Sequence, residues 1–131
     1  LIFDGFDHPT RPGRVFRMGL RLIGGGLIQQ YALQAFVLRR LRQAGLGPVL
    51  AVVVAVGLFA GIHWPNWVLV GLTVGGGAAW CAMFLRRPNL ITLGISHGLL
   101  ALLAYNALPR AWHWGLAVGP RFLERAARYA Q

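Results

Sequence analysis

Long apolar runs separated by short connections dominate this chain and constrain its fold more than any other feature. Four such runs extend over about 18–38, 48–64, 67–85 and 90–108. Each approaches the roughly 20 residues that a helix needs to cross the hydrocarbon core of a membrane. The connections contain arginines or turn signals such as Pro65-Asn66, which end helices. We therefore expect an all-α fold, a polytopic membrane bundle of about four transmembrane helices.

Charge is scarce and clustered, which fits a bundle in lipid. Charged residues make up only 12% of the chain, whereas soluble domains average about a quarter. The net charge of +10 comes from arginines, which lie between the apolar runs. At these positions the arginines suit contact with lipid headgroups and determine the topology of the helices in the membrane. A nucleic-acid-binding domain instead needs an exposed basic face on its own soluble core. We expect the lipid bilayer and other membrane protein subunits as partners, and no nucleic acid.

The chain divides into three parts. Residues 1–17 are turn-rich and charged and are expected to form an irregular or interfacial arm. Residues 18–110 form the predicted transmembrane core, and residues 111–131 contain PRFLERAARYA, whose apolar residues recur at helical spacing. That pattern predicts an amphipathic helix at the membrane surface, or a soluble C-terminal helix that packs on a partner. Arginines nearly balance on the two sides, so the orientation stays open. The all-arginine, Gly/Ala-rich composition is typical of GC-rich bacteria and suggests the bacterial cytoplasmic (inner) membrane.

Glycine pairs with G-x-x-x-G spacing occur in three consecutive runs. They are Gly57/Gly61, Gly71/Gly75 and Gly94/Gly98. In lipid, such pairs let helix backbones approach each other closely. Three pairs in succession predict a tightly packed bundle.

Polar side chains inside the runs need partners, because an unpaired amide or imidazole in hydrocarbon is costly. Gln30 and Gln34 would share one face of a helix, and Gln29 would be offset by about 100°. His63 ends the second run, and His97 lies in the fourth. One interior site is expected to be surrounded by Gln30, Gln34, His63 and His97. That site either serves only to hold helices together or has a chemical function.

The residue types restrict that function. A divalent metal on His63 and His97 would lack a third ligand, since the runs contain no Asp or Glu. Two histidines would also suit a tetrapyrrole as axial ligands, although nothing specific indicates one. Ser96 adjoins His97 without an acid to complete a triad, and Cys81 has no activating partner. No cofactor is clearly indicated.

Three stretches carry a resemblance: QQYALQAFVLRRLRQAG, LFAGIHWPN and FLRRPNLITLGISHGLLALL. They are similar to the CPBP family, the CAAX proteases and bacteriocin-processing enzymes, over about residues 28–103. That family has paired glutamates followed by arginine, then Phe-x-x-x-His, then His-x-x-x-Asn. Phe59 and His63 match the second motif, and His97 begins the third. Ala101 stands where asparagine is expected.

The first motif departs from the family throughout. Gln29 and Gln30 occupy the glutamate positions, and Gln34 occupies the arginine position. The resemblance implies a site formed by Gln29, Gln30, His63 and His97. A glutamine cannot accept a proton from water near neutral pH, so the implied catalytic base is missing.

Three functions therefore stay open. The first is a catalytically degenerate relative that serves as a structural or accessory subunit of a membrane complex. The second is an active intramembrane endopeptidase with an altered His/Gln site. The third is a membrane protein that binds a pigment, a quinone or a lipid.

Overall fold

The computed structural model describes residues 12–129, and in this range the chain is helical without a β-strand. The elements are α1 (Pro12–Gln30), a π-helical segment (Tyr31–Leu38), α2 (Arg39–Gln43), α3 (Pro48–Gly61), α4 (Trp67–Arg86), α5 (Leu90–Ala107), α6 (Arg110–His113) and α7 (Pro120–Tyr129). The all-α prediction is confirmed. Two helices, α4 and α5, are long and apolar enough to cross a membrane. With 14 residues, α3 is about 21 Å long and shorter than the hydrocarbon core.

Local chemistry fixes the helix ends. Pro48 opens α3 directly after Gly47, where its missing N–H costs nothing. Asn66 caps α4 by accepting from the Leu69 N–H at 3.2 Å, and Asn89 caps α5 in the same way. Each of these two asparagines therefore lies where a polar connection ends and an apolar helix begins.

The two ends of the chain differ from the expected pattern. Helix α1 begins at Pro12, so the predicted arm is helical from there to Arg17, and residues 1–11 lie outside the described residues. The first apolar run is part of one unbroken helical stretch from Pro12 to Gln43, whose middle is π-helical. The tail contains the short α6 and a separate α7. The tail connection donates from Gly119 N–H to the Trp64 carbonyl at 3.0 Å, so it packs back onto the bundle.

Helices α1 and α5 run antiparallel and form the closest helix contact in the described chain. Gly26 faces Gly94 and Gly98, and a Cβ built on Gly26 would lie 2.6 Å from the Gly94 carbonyl oxygen. The Gly94/Gly98 pair therefore allows the close approach predicted for it.

The other two glycine pairs behave differently from the prediction. A Cβ built on Gly57, Gly61, Gly71 or Gly75 would have no neighbour within 4 Å. These glycines lie on exposed faces of α3 and α4, so the expectation that they pack helices together within the chain is wrong. Helices α3 and α4 contact each other instead through Gly77, whose Cβ position lies 3.4 Å from Phe59.

Candidate functional site

A cavity of about 690 Å³ is lined by residues of α1, α4 and α5, by the turn after α3 and by the tail connection. Its lining is mainly aliphatic, with a few polar side chains: Arg21, Gln29, His63, Thr73, Trp80 and His97. This combination of an apolar wall and few polar groups is typical of a ligand-binding pocket. The cavity therefore defines the candidate site, and both predicted histidines belong to its wall.

A hydrogen-bonded chain of three side chains forms the innermost part of the site. Gln34 Nε2 donates to Gln30 Oε1 at 3.1 Å, and Gln30 Nε2 lies 3.2 Å from His97 Nδ1. Gln30 and Gln34 are fully buried, and His97 is nearly so. Gln30 and Gln34 thus lie on one face of the helix, as expected, and both belong to a hydrogen-bonded chain that ends at His97.

The direction of this chain determines the protonation of His97. Gln30 Oε1 already accepts from Gln34, so the Gln30 amide presents its N–H to the imidazole. His97 Nδ1 must then accept, and a neutral ring carries its proton on Nε2. A carboxylate at position 30 would accept from Nδ1 and leave Nε2 unprotonated instead. The Gln-for-Glu difference therefore makes His97 a hydrogen-bond donor toward the cavity and not a base.

His63 has the opposite arrangement. Its Nδ1 lies 2.7 Å from the carbonyl oxygen of Phe59, one helical turn earlier. A carbonyl only accepts, so His63 Nδ1 carries the proton and Nε2 keeps a lone pair. The Phe59 ring packs edge-on against both histidines, with centroid distances of 4.9 Å to His63 and 6.0 Å to His97. The two rings thus offer one acceptor and one donor to the same cavity.

Trp80 supports His97 and was not among the residues expected from the sequence. Its indole ring stacks on the imidazole at 4.5 Å and 14°, and its Nε1 donates to Ser96 Oγ at 3.0 Å. Ser96 in turn donates to the Leu93 carbonyl. A tryptophan in the middle of an apolar run is the signal that was available, because the other tryptophans lie near the ends of the runs.

The other residues that the sequence singled out have different surroundings. Gln29 lines the cavity but makes no hydrogen bond with the described residues. Gln34 also interacts with the buried thiol of Cys81.

Among residues 12–129, no three His, Cys, Asp or Glu side chains come together as metal ligands. A metal on His63 and His97 would thus depend on ligands from elsewhere. Ala101, at the expected asparagine position, lies in the cavity wall.

The helices surround a cavity with a polar His/Gln cluster, and two of them are long and apolar enough to cross a membrane, which defines a class: all-helical proteins with membrane-spanning potential. The chain matches the family model for type II CAAX prenyl endopeptidase Rce1-like proteins over residues 11–103, and it belongs to this membrane-embedded family. This match confirms the resemblance to CPBP proteins. Searches of curated proteins and of solved structures found no match. The matched range includes Gln29, Gln30, His63 and His97.

Proposed function

We propose that this chain keeps the cavity of the CAAX peptidase family without its glutamate-dependent hydrolysis, and that it serves as an accessory subunit of a membrane complex. One observation carries this proposal: the amide at position 30 donates to His97 where the family has a carboxylate. Glu124 is the only side-chain carboxylate between residues 12 and 129, and it is exposed on α7 near Arg128. No base of the family type is therefore available among the described residues.

Four substitutions restore the family motifs and test this proposal. They are Gln29→Glu, Gln30→Glu, Gln34→Arg and Ala101→Asn. The assay measures cleavage of a fluorogenic prenylated CAAX peptide by purified protein in nanodiscs. Since a positioned general base contributes about 10²–10⁴-fold, we expect the wild type to lie near background and the quadruple variant to exceed it at least about 100-fold. Cleavage by the wild type that is lost in His63→Ala would contradict the degenerate assignment.

An altered but active peptidase is the second candidate, and the state of His63 favours it. The His63 Nε2 lone pair and the His97 Nε2–H suit a water that donates to one ring and accepts from the other. No carboxylate orients either ring, so this arrangement supports a weaker base than a Glu–His pair. The assay above separates the two candidates, because only the active peptidase loses wild-type cleavage in His63→Ala and His97→Ala.

The accessory role is supported by exposed apolar faces on α3 and α4. Exposed glycine pairs, Gly57/Gly61 and Gly71/Gly75, would allow a helix of another subunit to approach closely. Native-membrane extraction followed by sizing should show the chain in a large assembly. Gly71→Leu should release it, whereas Gly24→Leu, which adds the same bulk to an open position on α1, should not. A monomer in native membranes would contradict this role.

We also propose a four-span arrangement in a bacterial inner membrane. Helices α4 and α5 have the necessary length and hydropathy. The helical stretch of α1 and the π-helical segment, together with α3 and the turn after it, would supply the other two spans. Reporter fusions in the loops after Gln43, Ile62 and Arg87 should alternate between the two sides of the membrane. Two successive fusions on the same side would reject the arrangement.

A further inference from the structure

One cation lines the cavity, and no part of the proposed function accounts for it. Among the described residues of the wall, Arg21 alone carries a charge. It is exposed as well as part of the lining, so it lies at the rim. No ion pair or hydrogen bond joins the Arg21 side chain to another described residue, although Arg42, Arg125 and Arg128 each bond locally. A guanidinium at the rim of an apolar cavity is suited to an anion.

Three residues on one face of α1 contribute to the cavity wall. Arg21, Gly25 and Gln29 lie four residues apart on one face of α1 and all line the cavity. They cover about 12 Å along the helix axis. Most of the remaining lining consists of small and aliphatic residues of α4 and α5, such as Leu72, Ala101 and Ala104. An occupant therefore meets one cation and a wall that is mostly hydrocarbon.

The volume limits the size of the occupant. A cavity of about 690 Å³ has room for roughly 20 groups the size of a water molecule, at about 30 Å³ each. One alkyl chain with a small head fits this space, whereas a two-chain phospholipid has more than twice as many heavy atoms. Besides Arg21, the polar side chains of the lining are Gln29, His63, Thr73, Trp80 and His97, and the rest of the wall is apolar.

We propose that the cavity binds a single-chain amphiphile with an anionic head, and that Arg21 selects the head while the α4–α5 wall holds the chain. This inference rests on the cavity that the proposed function retains and not on the loss of hydrolysis. The guanidinium forms paired hydrogen bonds with a carboxylate, and the apolar surroundings strengthen them.

Binding of laurate, dodecanol and dodecyltrimethylammonium to the full chain in nanodiscs of zwitterionic lipid tests the proposal. The three probes share a chain length and differ in head charge. We expect laurate to bind at one site per chain, at least about 10-fold more tightly than the other two. Equal binding of all three, or preference for the cation, would overturn the assignment.

Variants identify the residue responsible. Arg21→Gln should weaken laurate binding about 10-fold and leave dodecanol binding unchanged, and Arg21→Lys should retain most of it. Arg39→Gln removes the same charge from an exposed site at the other end of this helical stretch and should have no effect. Ala104→Phe should weaken all chain binding by filling the wall. Equal losses in Arg21→Gln and Arg39→Gln would show a bulk charge effect and reject the role of Arg21.

The two proposals fail separately. Histidine-dependent cleavage by the wild type would remove the degenerate assignment and leave laurate selectivity intact. Binding that is independent of head charge would remove the Arg21 assignment without affecting the cleavage assay.

Discussion

Substitution of Gly98 by alanine is expected to separate α1 from α5. A Cβ on Gly98 would clash with the Ile23 Cα and lie 2.6 Å from the Ile23 backbone nitrogen, and ordinary contacts begin at 3.4 Å. The obstacle is backbone, so no side-chain rotation relieves it, and the helices must move apart by at least about 0.8 Å. Overpacking of this kind costs about 1–3 kcal/mol. Alanine in place of glycine on an open helix face instead stabilises by about 0.5–1 kcal/mol.

The same displacement of α1 from α5 also changes the geometry of the candidate site. His97 precedes Gly98 on α5 and lies 3.2 Å from Gln30 of α1. If the two helices separate by about 0.8 Å along this direction, the bond lengthens to about 4 Å, outside the range of a hydrogen bond. Gly98→Ala should therefore weaken both the fold and the orientation of His97.

Thermal unfolding in nanodiscs measures the effect, with the reactivity of the chain's single cysteine as the readout. Cys81 is fully buried, so a maleimide should label it only as the bundle opens. We expect the Tm of Gly98→Ala to fall by about 4–12 °C. Gly71→Ala, at an exposed position with no neighbour within 4 Å, should keep or slightly raise the Tm. An unchanged Tm for Gly98→Ala, or an equal fall for Gly71→Ala, would refute the reasoning.

Other side chains give further predictions. Asn66→Ala removes a helix cap and two buried side-chain donations, and it should cost about 2–3 kcal/mol and expose the tail to limited proteolysis. Gln30→Leu should lower stability by about 1–2 kcal/mol in thermal unfolding because it leaves two buried partners unsatisfied, whereas Gln29→Leu should be neutral. Trp80→Phe and Ser96→Ala remove the same hydrogen bond, so their double-mutant cycle should show a coupling of about 0.5–1.5 kcal/mol, and additive costs would contradict that bond.

The sequence anticipated the helices that its local chemistry specifies. The predicted apolar runs begin near residues 48, 67 and 90, and α3, α4 and α5 begin at Pro48, Trp67 and Leu90. These starts are local, because a missing N–H at Pro48 or a side-chain acceptor at Asn66 and Asn89 acts within a few residues. The turn at Gly45, whose φ of 88° ends the first helical stretch, is local in the same sense. The π-helical geometry after Gln30 was not anticipated, since it depends on packing against neighbouring helices.

For the candidate site, the sequence alone determined the residue types. It showed amides where the family has carboxylates, and histidines at Phe-x-x-x-His and His-x-x-x-Ala spacing. It could not determine which glycine pair packs a helix, since each pair has the same spacing and only Gly94/Gly98 faces a neighbouring backbone.

Only the tertiary structure determined which side chains contact each other in the candidate site. It joined Gln30 to His97 across 67 positions of sequence, stacked Trp80 on that ring, and placed Arg21 at the rim of the cavity. These relations depend on the angle and separation of whole helices, which no local pattern encodes. The hydrogen-bond direction that makes His97 a donor depends on the amide at position 30 and on Gln34, which occupies the Gln30 oxygen. Residue identity supplies the amides, and only the packed arrangement joins them to His97.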